Sequence, residues 1–499
     1  MRPNLLRHLG AGILSAACLF AALPARSADH ESNLEKSFSV SPGGKLIVRA
    51  DRGSIAVSPA GADKASVQIF RTVKGGTKAK ADEAFGNHEV SLQQDGNTIT
   101  VTARNTKDAT SLFRLNQPNL QVRYQIVVPK QFDVDLKTAG GDIALGDLDG
   151  QAATRTSSGA IRLQKITGQV EAANAGGDIE LAEAGANAIA RTSSGSIHVR
   201  AAKGRVEAKN AGGNITVDDA GADVIASTSS GSISLKTAKG SVQVRNAGGD
   251  IHLGEAGGDA SLSTSSGSIR VGKVQRGLEV KNAGGDIQIN EGAGSVSAST
   301  SSGTIKVQRA AGKLTAKNAG GDVIIGAAGG DVAVSTSSGS IQLGAVHGKV
   351  EAKNSGGDIG VEEAGGELVV ETSSGSIVIG KANGPVTARN SGGDIRVAEV
   401  RGNIHARTSS GTITSVLAAQ LQGDCRLEVL GGDIKLSLAD TVAVNLNAQS
   451  RGGRVTSELP VTTTVQGEPK AGALQGKING GGPALVLHAG SGNVQLKKH

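Results

Sequence analysis

From Gly141 to Gly411 the chain repeats one 36-residue unit, and every unit divides into two similar 18-residue halves. Thr-Ser-Ser-Gly begins at Thr156, Thr192, Thr228, Thr264, Thr300, Thr336, Thr372 and Thr408. Midway between fall Asn174, Asn210, Asn246, Asn282, Asn318, Asn354 and Asn390, each opening Asn-Ala/Ser-Gly-Gly-Asp/Asn. A fixed period of this length marks a solenoid, in which each repeat buries its apolar residues against its neighbours.

Each half splits again into two units of nine. In the stretch Gly195 to Lys203, Ile197 and Val199 take the third and fifth places with His198 between them. Val206 and Ala208 do the same in Gly204 to Gly212. A period of two means a strand with one buried face. The remaining Gly, Asn and Ser places supply turns, and no helical periodicity appears in this region.

Charge decides between an 18-residue and a 36-residue coil. Counted from the last glycine of each Gly-Gly-Asp or Ser-Ser-Gly turn, the seventh place carries Lys165, Glu183, Ala201, Asp219, Thr237, Glu255, Lys273, Glu291 and Arg309, and later Glu363, Lys381 and Glu399. In the shorter coil, acids stack on bases or neutral residues. In the longer one, Glu255 would lie between Asp219 and Glu291, and like charges at about 4 Å cost roughly 1 kcal/mol even in water. The second place alternates likewise, with Ser196, Ser232 and Ser268 between acids such as Asp178, Asp250 and Asp286. The expectation is an all-β fold: a β-solenoid with two short strands per 18-residue coil. Fifteen coils fit between Gly141 and Gly411, a rod of roughly 70 Å.

Met1 to Ser27 read as a secretory signal. Arg2 and Arg7 precede the apolar stretch Ile13–Leu23, and Ala25-Arg26-Ser27 ends in the small residues a signal peptidase accepts. A lipoprotein reading at Cys18 is less favoured, because Ser15 stands where a large aliphatic residue belongs. The mature chain has no apolar segment long enough to span a bilayer. Loss of Arg2, Arg7 and Arg26 lowers the formal charge from +7 to +4, a mild excess over so long a chain and no nucleic-acid footprint. Cys425 is then the sole cysteine, so no intrachain disulfide forms. Phe38, Phe70, Phe85, Phe113, Phe132 and Tyr124 all precede the repeats. A thin two-layer core of Ile, Val, Leu and Ala has no need of aromatic bulk.

The domain organisation expected is a leader at 1–27, an N-terminal β-rich cap at 28–136, the solenoid at 137–412 and a degenerate C-terminal β region at 413–499. Strands are expected near 45–50, 54–58, 66–74, 89–94, 98–103, 121–128 and 132–137, with a hairpin turn at Asp95-Gly96-Asn97 and a short helix at 77–85. After Gly411 the beat slips, and Pro460, Pro469 and Pro483 interrupt the pattern. The flanks are expected to hide the sheet edges at the solenoid's ends.

These features resemble the DUF4097-type adhesin family, bacterial exported β-strand-repeat proteins. The resemblance rests on Val122–Pro129, on the many Thr-Ser-Ser-Gly-Ser-Ile turns, and on the closing stretches Gly476–Gly482 and Gly490–Leu496. It implies an exported β-solenoid with an adhesive or envelope role, and it brings no catalytic residues.

Candidate chemistry is sparse. Gly-Gly-Asp turns on two nine-residue units are similar to a calcium β-roll, but only one such Asp occurs per two coils and Ser fills the intervening site. Structural turns are expected, with weak Ca2+ binding there as the lesser reading. The Asn and Thr that open alternate turns are expected to bond the local backbone, or one another along the stack. His198 and His252 share a column three coils apart, about 14 Å, too far for one ion. His347 and His405 fall at other phases of the repeat. No Gly-x-Ser-x-Gly elbow occurs, and short, uniform turns leave no wall for a cleft. The fourth places (Arg162, Glu180, His198, Thr216, Ser234, His252, Arg270) are too mixed and charged for an ice-binding face. No residue is therefore assigned to catalysis, to a cofactor or to a metal, and the binding residues stay open. The expected function is a non-enzymatic, exported binding surface or rigid spacer at the cell envelope, in the periplasm or outside the cell. Its partners would be polysaccharide or an envelope or cell-surface protein, not nucleic acid. The alternatives are a periplasmic structural or envelope-stress-related protein and, last, a carbohydrate-active β-helix enzyme.

Overall fold

The structure is a computed structural model that describes residues 29–61, 63–106, 119–463 and 471–499. The leader expected at 1–27, with Cys18, lies outside the described residues, as do Phe113 and Pro469.

Each coil gives one strand to each of two parallel sheets. In the coil that opens at Gly195, Ile197–Ala202 belongs to the first sheet and Val206–Asn210 to the second. Every strand pairs with its equivalent in the next coil: Ile197 lies opposite Ile215, and Val206 opposite Val224. Backbone bonds run coil to coil, through the strands (Ile197 N–H to Asn214 O, 2.9 Å) and through the turns (Lys203 N–H to Ala184 O, 2.9 Å). The result is a β-solenoid of about 17 stacked turns. The charge columns take the register expected of them, since Glu255 sits between Thr237 and Lys273.

The core runs without a break from Phe38 in the cap to Leu496 near the C-terminus. Within one coil Ile197, Val199, Ala202, Val206, Ala208 and Asn210 all point inward. Two of these inward places go beyond the strand alternation expected from sequence. Between Val199 and Ala202 the chain turns a corner, so Arg200 and Ala201 both face outward and Ala202 returns to the core. The Asn/Thr column is also buried, at 9% exposure or less.

The turn glycines form their own column. A Cβ on Gly267 would lie 2.5 Å from the backbone of Gly249 below it, and Gly267 adopts φ +97°. A turn therefore approaches the backbone of the one below this closely where its own residue lacks a side chain, as Gly221 also does over Lys203.

Both ends are closed by interleaving. Gly44–Ala50 and Ser54–Ala60 form a layer between two later ones. On one side lie Phe132–Thr138 and Ile143–Leu145, and on the other Thr98–Asn105 and Asn119–Pro129. Antiparallel strands then cover the exposed edges: Lys64–Lys74 on Asn119–Pro129, His30–Ser39 on Lys64–Lys74, and His88–Asp95 on Thr98–Asn105. The expected turn joins Asp95 to Thr98, and the helix spans Lys78–Asn87, capped by Thr77. His30–Ser39 is an additional strand; its alternation is nearly all polar, with only Phe38 among its residues buried.

The C-terminal region repeats the device. Ala484–Ala489 and Val494–Lys498, last in the chain, lie on Cys425–Gly431 and Ile434–Leu438. Val444–Ser450 and Val455–Ser457, earlier in the chain, pack outside them, and Ala473–Ile478 covers that edge antiparallel. The flanks thus extend both sheets and close their edges.

Candidate ligand-binding face

The residues that sequence reasoning singled out are mostly engaged in holding coils together. Asp250 Oδ1 accepts the backbone N–H of Ser268 at 2.7 Å, and Asp286 Oδ1 that of Thr304 at 2.8 Å. One carboxylate oxygen of each Gly-Gly-Asp turn is thereby committed to the next coil. The neighbouring Asp or Asn in this column lies two coils away, and among the described residues no three His, Cys, Asp or Glu side chains converge. Asn282 Nδ2 donates to Gly267 O at 2.8 Å and its Oδ1 accepts the Gly284 N–H at 3.1 Å. In the alternating coil Thr264 Oγ1 lies 2.7 Å from Ser266 O and 3.1 Å from Gly249 O. One bond of each pair is the local backbone bond expected of the column, and the other reaches the backbone of the coil below.

The histidines are dispersed. His198 Nε2 lies 3.0 Å from Asp218 Oδ2, His347 Nδ1 is 3.4 Å from Ala328 O, and His405 Nε2 is 3.1 Å from Asp424 O. His252 is exposed on the first sheet. Cys425 is wholly buried, and its Sγ accepts the Ile404 N–H at 3.3 Å where pairing between the neighbouring strands lapses. Burial pushes its thiol pKa up, away from the reactive thiolate.

The cap holds a separate polar knot of Asp51, Arg52, Arg71, His88 and Tyr124. His88 and Tyr124 are 2% and 0% exposed, and their polar side-chain atoms lack hydrogen-bond partners. Burial drives the Tyr124 hydroxyl pKa well up.

Outward columns differ in how they manage charge. On the first sheet opposite signs meet, as expected: Lys165–Glu183 at 3.5 Å, Lys273–Glu291 at 3.3 Å and Lys381–Glu363 at 3.2 Å. The second sheet carries a column of another kind. Lys209, Arg245, Lys281, Lys317, Lys353 and Arg389 recur once per 36-residue unit, one before each turn-opening Asn except Asn174, which follows Ala173. Ser227, Ser263, Ser299 and Ser335 fill the places between the middle members. Arg155, Arg191 and Arg407 extend the column, and Glu371 is its one acid between Arg155 and Arg407. Towards the cap it continues through Lys137 to Arg49.

Some of these cations have partners on the adjacent column of their own sheet. Lys209 pairs with Glu207 at 2.8 Å, Lys281 with Glu279 at 2.5 Å and Lys353 with Glu351 at 2.6 Å. The Lys209 and Arg191 contacts hold the Glu207 carboxyl below its usual range. Arg245 and Lys317 face Gln243 and Thr315 instead. Beside the column an open groove of about 540 Å3 runs from Asn318 to Ser409. Lys353, Arg389 and Arg407 line it with hydroxyls such as Ser355, Ser373 and Ser391. The sequence carries this signal in the residue before every turn-opening Asn but Asn174.

Fold and surface together define a repeat protein, a capped two-sheet parallel β-solenoid. The chain belongs to the Toastrack DUF4097 family, whose model matches residues 45–271, 205–331, 275–388 and 331–497. No curated protein matches it. Among solved structures it is similar to a "putative cell adhesion protein" from Clostridium sporogenes, at 10% identity over 41% of this chain and 99% of that one, with a TM-score of 0.25. It is also similar to a "putative adhesin" from Bacteroides fragilis, at 13% identity over 65% of this chain and 97% of that one, with a TM-score of 0.15.

Proposed function

We propose that this protein is a non-enzymatic, exported rod that works as a binding surface and spacer at the cell envelope. The observation that carries the reading is the uniformity of the coils. The turns from Gly141 to Gly411 are short and alike, so both sheet faces present repeated side chains at fixed spacing with no loop standing over them. Such a face makes many weak contacts at once, and multivalency turns weak contacts into durable ones. The stretch at 1–27 supports export as a sequence signal, and none of the described helices is long and apolar enough to cross a membrane.

Protease treatment of intact cells tests where the rod acts. Loss of the protein places it at the surface. Sparing it until the envelope is opened favours a periplasmic structural role with no external ligand. Cleavage of any member of a panel of polysaccharides by the purified mature chain would overturn the non-enzymatic reading.

A further inference from the structure

We infer that the cationic column of the second sheet is the ligand-binding site of the rod, and that its ligand is a linear acidic polysaccharide lying along the solenoid axis. This rests on the binding-surface reading above and names the ligand for it. Like charges directly opposite one another on neighbouring strands destabilise a sheet. The first sheet avoids that cost by alternating signs. The second does not alternate within this column: Arg191 faces Lys209 and Arg389 faces Arg407, with one carboxylate, Glu207 or Glu371, beside each cation pair. Folding gives no reason for one column to carry nine cations and a single acid, Glu371, from Arg155 to Arg407, whereas a polyanion partner does.

The spacing narrows the ligand. From Arg245 to Lys353 cations and serines alternate strictly, so positive charges recur every two coils, about 9.5 Å. A hydroxyl-bearing small residue lies between each pair. A glycan with a carboxylate or other anionic group at intervals along its length meets the charges, and its hydroxyls meet the serines. A neutral glycan would leave the charges unanswered. Nucleic acids are also polyanions, but single strands are held by stacking bases on aromatic rings, and the chain has no aromatic residue after Phe132. Arg245 and Lys317, which form no ion pair with a described residue, are the first contacts. Lys281 and Lys353 would exchange their glutamates for the ligand, at little cost for exposed pairs.

The test measures binding of the full mature chain to polygalacturonate, to the fully methyl-esterified polymer and to double-stranded DNA. Two variants are compared. One replaces Arg245, Lys281, Lys317 and Lys353 by Ser, the residue the column already uses between them. The other makes the same change at Arg162, Arg270, Lys306 and Arg396 on the first sheet, removing equal charge elsewhere. Polygalacturonate should bind, with affinity falling steeply with salt, and the esterified polymer should not. The second-sheet variant should bind at least about tenfold more weakly, while the first-sheet variant stays within about twofold. Equal weakening by both variants, equal binding of the esterified polymer, or tighter binding of DNA would overturn the inference. Binding of wild type and second-sheet variant alike to isolated envelope material would sink this site and leave the binding-surface reading standing. Binding to neither envelope nor polymer would sink both.

Discussion

Asn282 shows what one side chain contributes to a coil. It is 7% exposed, and its amide spans a turn carbonyl of the coil below and a turn N–H of its own. Asn282→Ala leaves both backbone groups without that partner, so it should cost about 1–3 kcal/mol in urea unfolding. Asn282→Thr should cost less, because a hydroxyl there reaches the carbonyl of Gly267 as Thr264 reaches that of Gly249. A Thr variant as damaged as the Ala variant would mean that packing, not hydrogen bonding, fixes the column. In the cap, burial of Asp51 would raise its pKa, but its surroundings outweigh that and hold the carboxyl below the usual range. They are His88 at 3.6 Å, Arg52 at 3.7 Å and the Asn105 N–H at 2.8 Å. A depressed carboxyl pKa gives stability that is present above the unfolded value, about 3.9, and is lost as pH falls through the folded one. Asp51→Asn should therefore weaken the cap at neutral pH and flatten its acid limb below about pH 4. Emission from Tyr124, the only tyrosine in a chain without tryptophan, reports on the cap alone. An unchanged acid limb in the variant would show that other carboxyls govern it.

At the scale of the coil, stability is shared between neighbours. Removing Gly267–Ser302 deletes one full 36-residue unit and brings like coils back into contact with their usual partners. The product should fold cooperatively into a rod about 10 Å shorter. Removing only Gly267–Gln275 moves every later strand to the opposite sheet, which sets first-sheet residues over second-sheet ones and breaks both ladders. Circular dichroism with urea titration separates the two, and equal loss of structure in both would contradict the 18-residue coil. Removing the single coil Gly267–Gly284 should give an intermediate result, because Glu255 would then lie directly under Glu291. The coil was legible in sequence because each residue's neighbours are its own equivalents in the adjacent repeats, so periodicity alone states the contacts. The corner at Arg200–Ala202 is not legible in one coil, since Ala201 and Ala202 are alike, and only the other repeats tell them apart, with Lys165, Glu183 and Asp219 in the first place and Ile166, Ala184 and Ala220 in the second. The cationic column was written in Lys281 and its equivalents, but only the observed second sheet shows that they share one outer face.

For the whole molecule, the order of layers at the two ends is the part that periodicity does not predict. Ala484–Ala489 and Val444–Ser450 are both short strands with inward aliphatics at alternate places, so either could lie on Cys425–Gly431 by pattern alone. The connection that decides it is long-range: the chain builds the outer layer, reverses through Ala473–Ile478, and inserts its last strands one layer inside. The N-terminal layer Gly44–Ala60 is likewise held from both sides. Neither terminal coil can peel away as a free edge would, because each has a partner above and below, so fraying must begin by opening an outer layer. Truncation after Asn479 removes the inserted layer and tests this arrangement. Without it Val444–Ser450 and Val455–Ser457 lose the strands they rest on, and Cys425–Leu438 becomes an open apolar end. Amide exchange should then become fast in both segments while Ile287–Gly292, far along the stack, keeps its protection. If the outer layer instead settles onto Cys425–Leu438 and both stay protected, the last strands are an addition to the cap and not the layer that secures it.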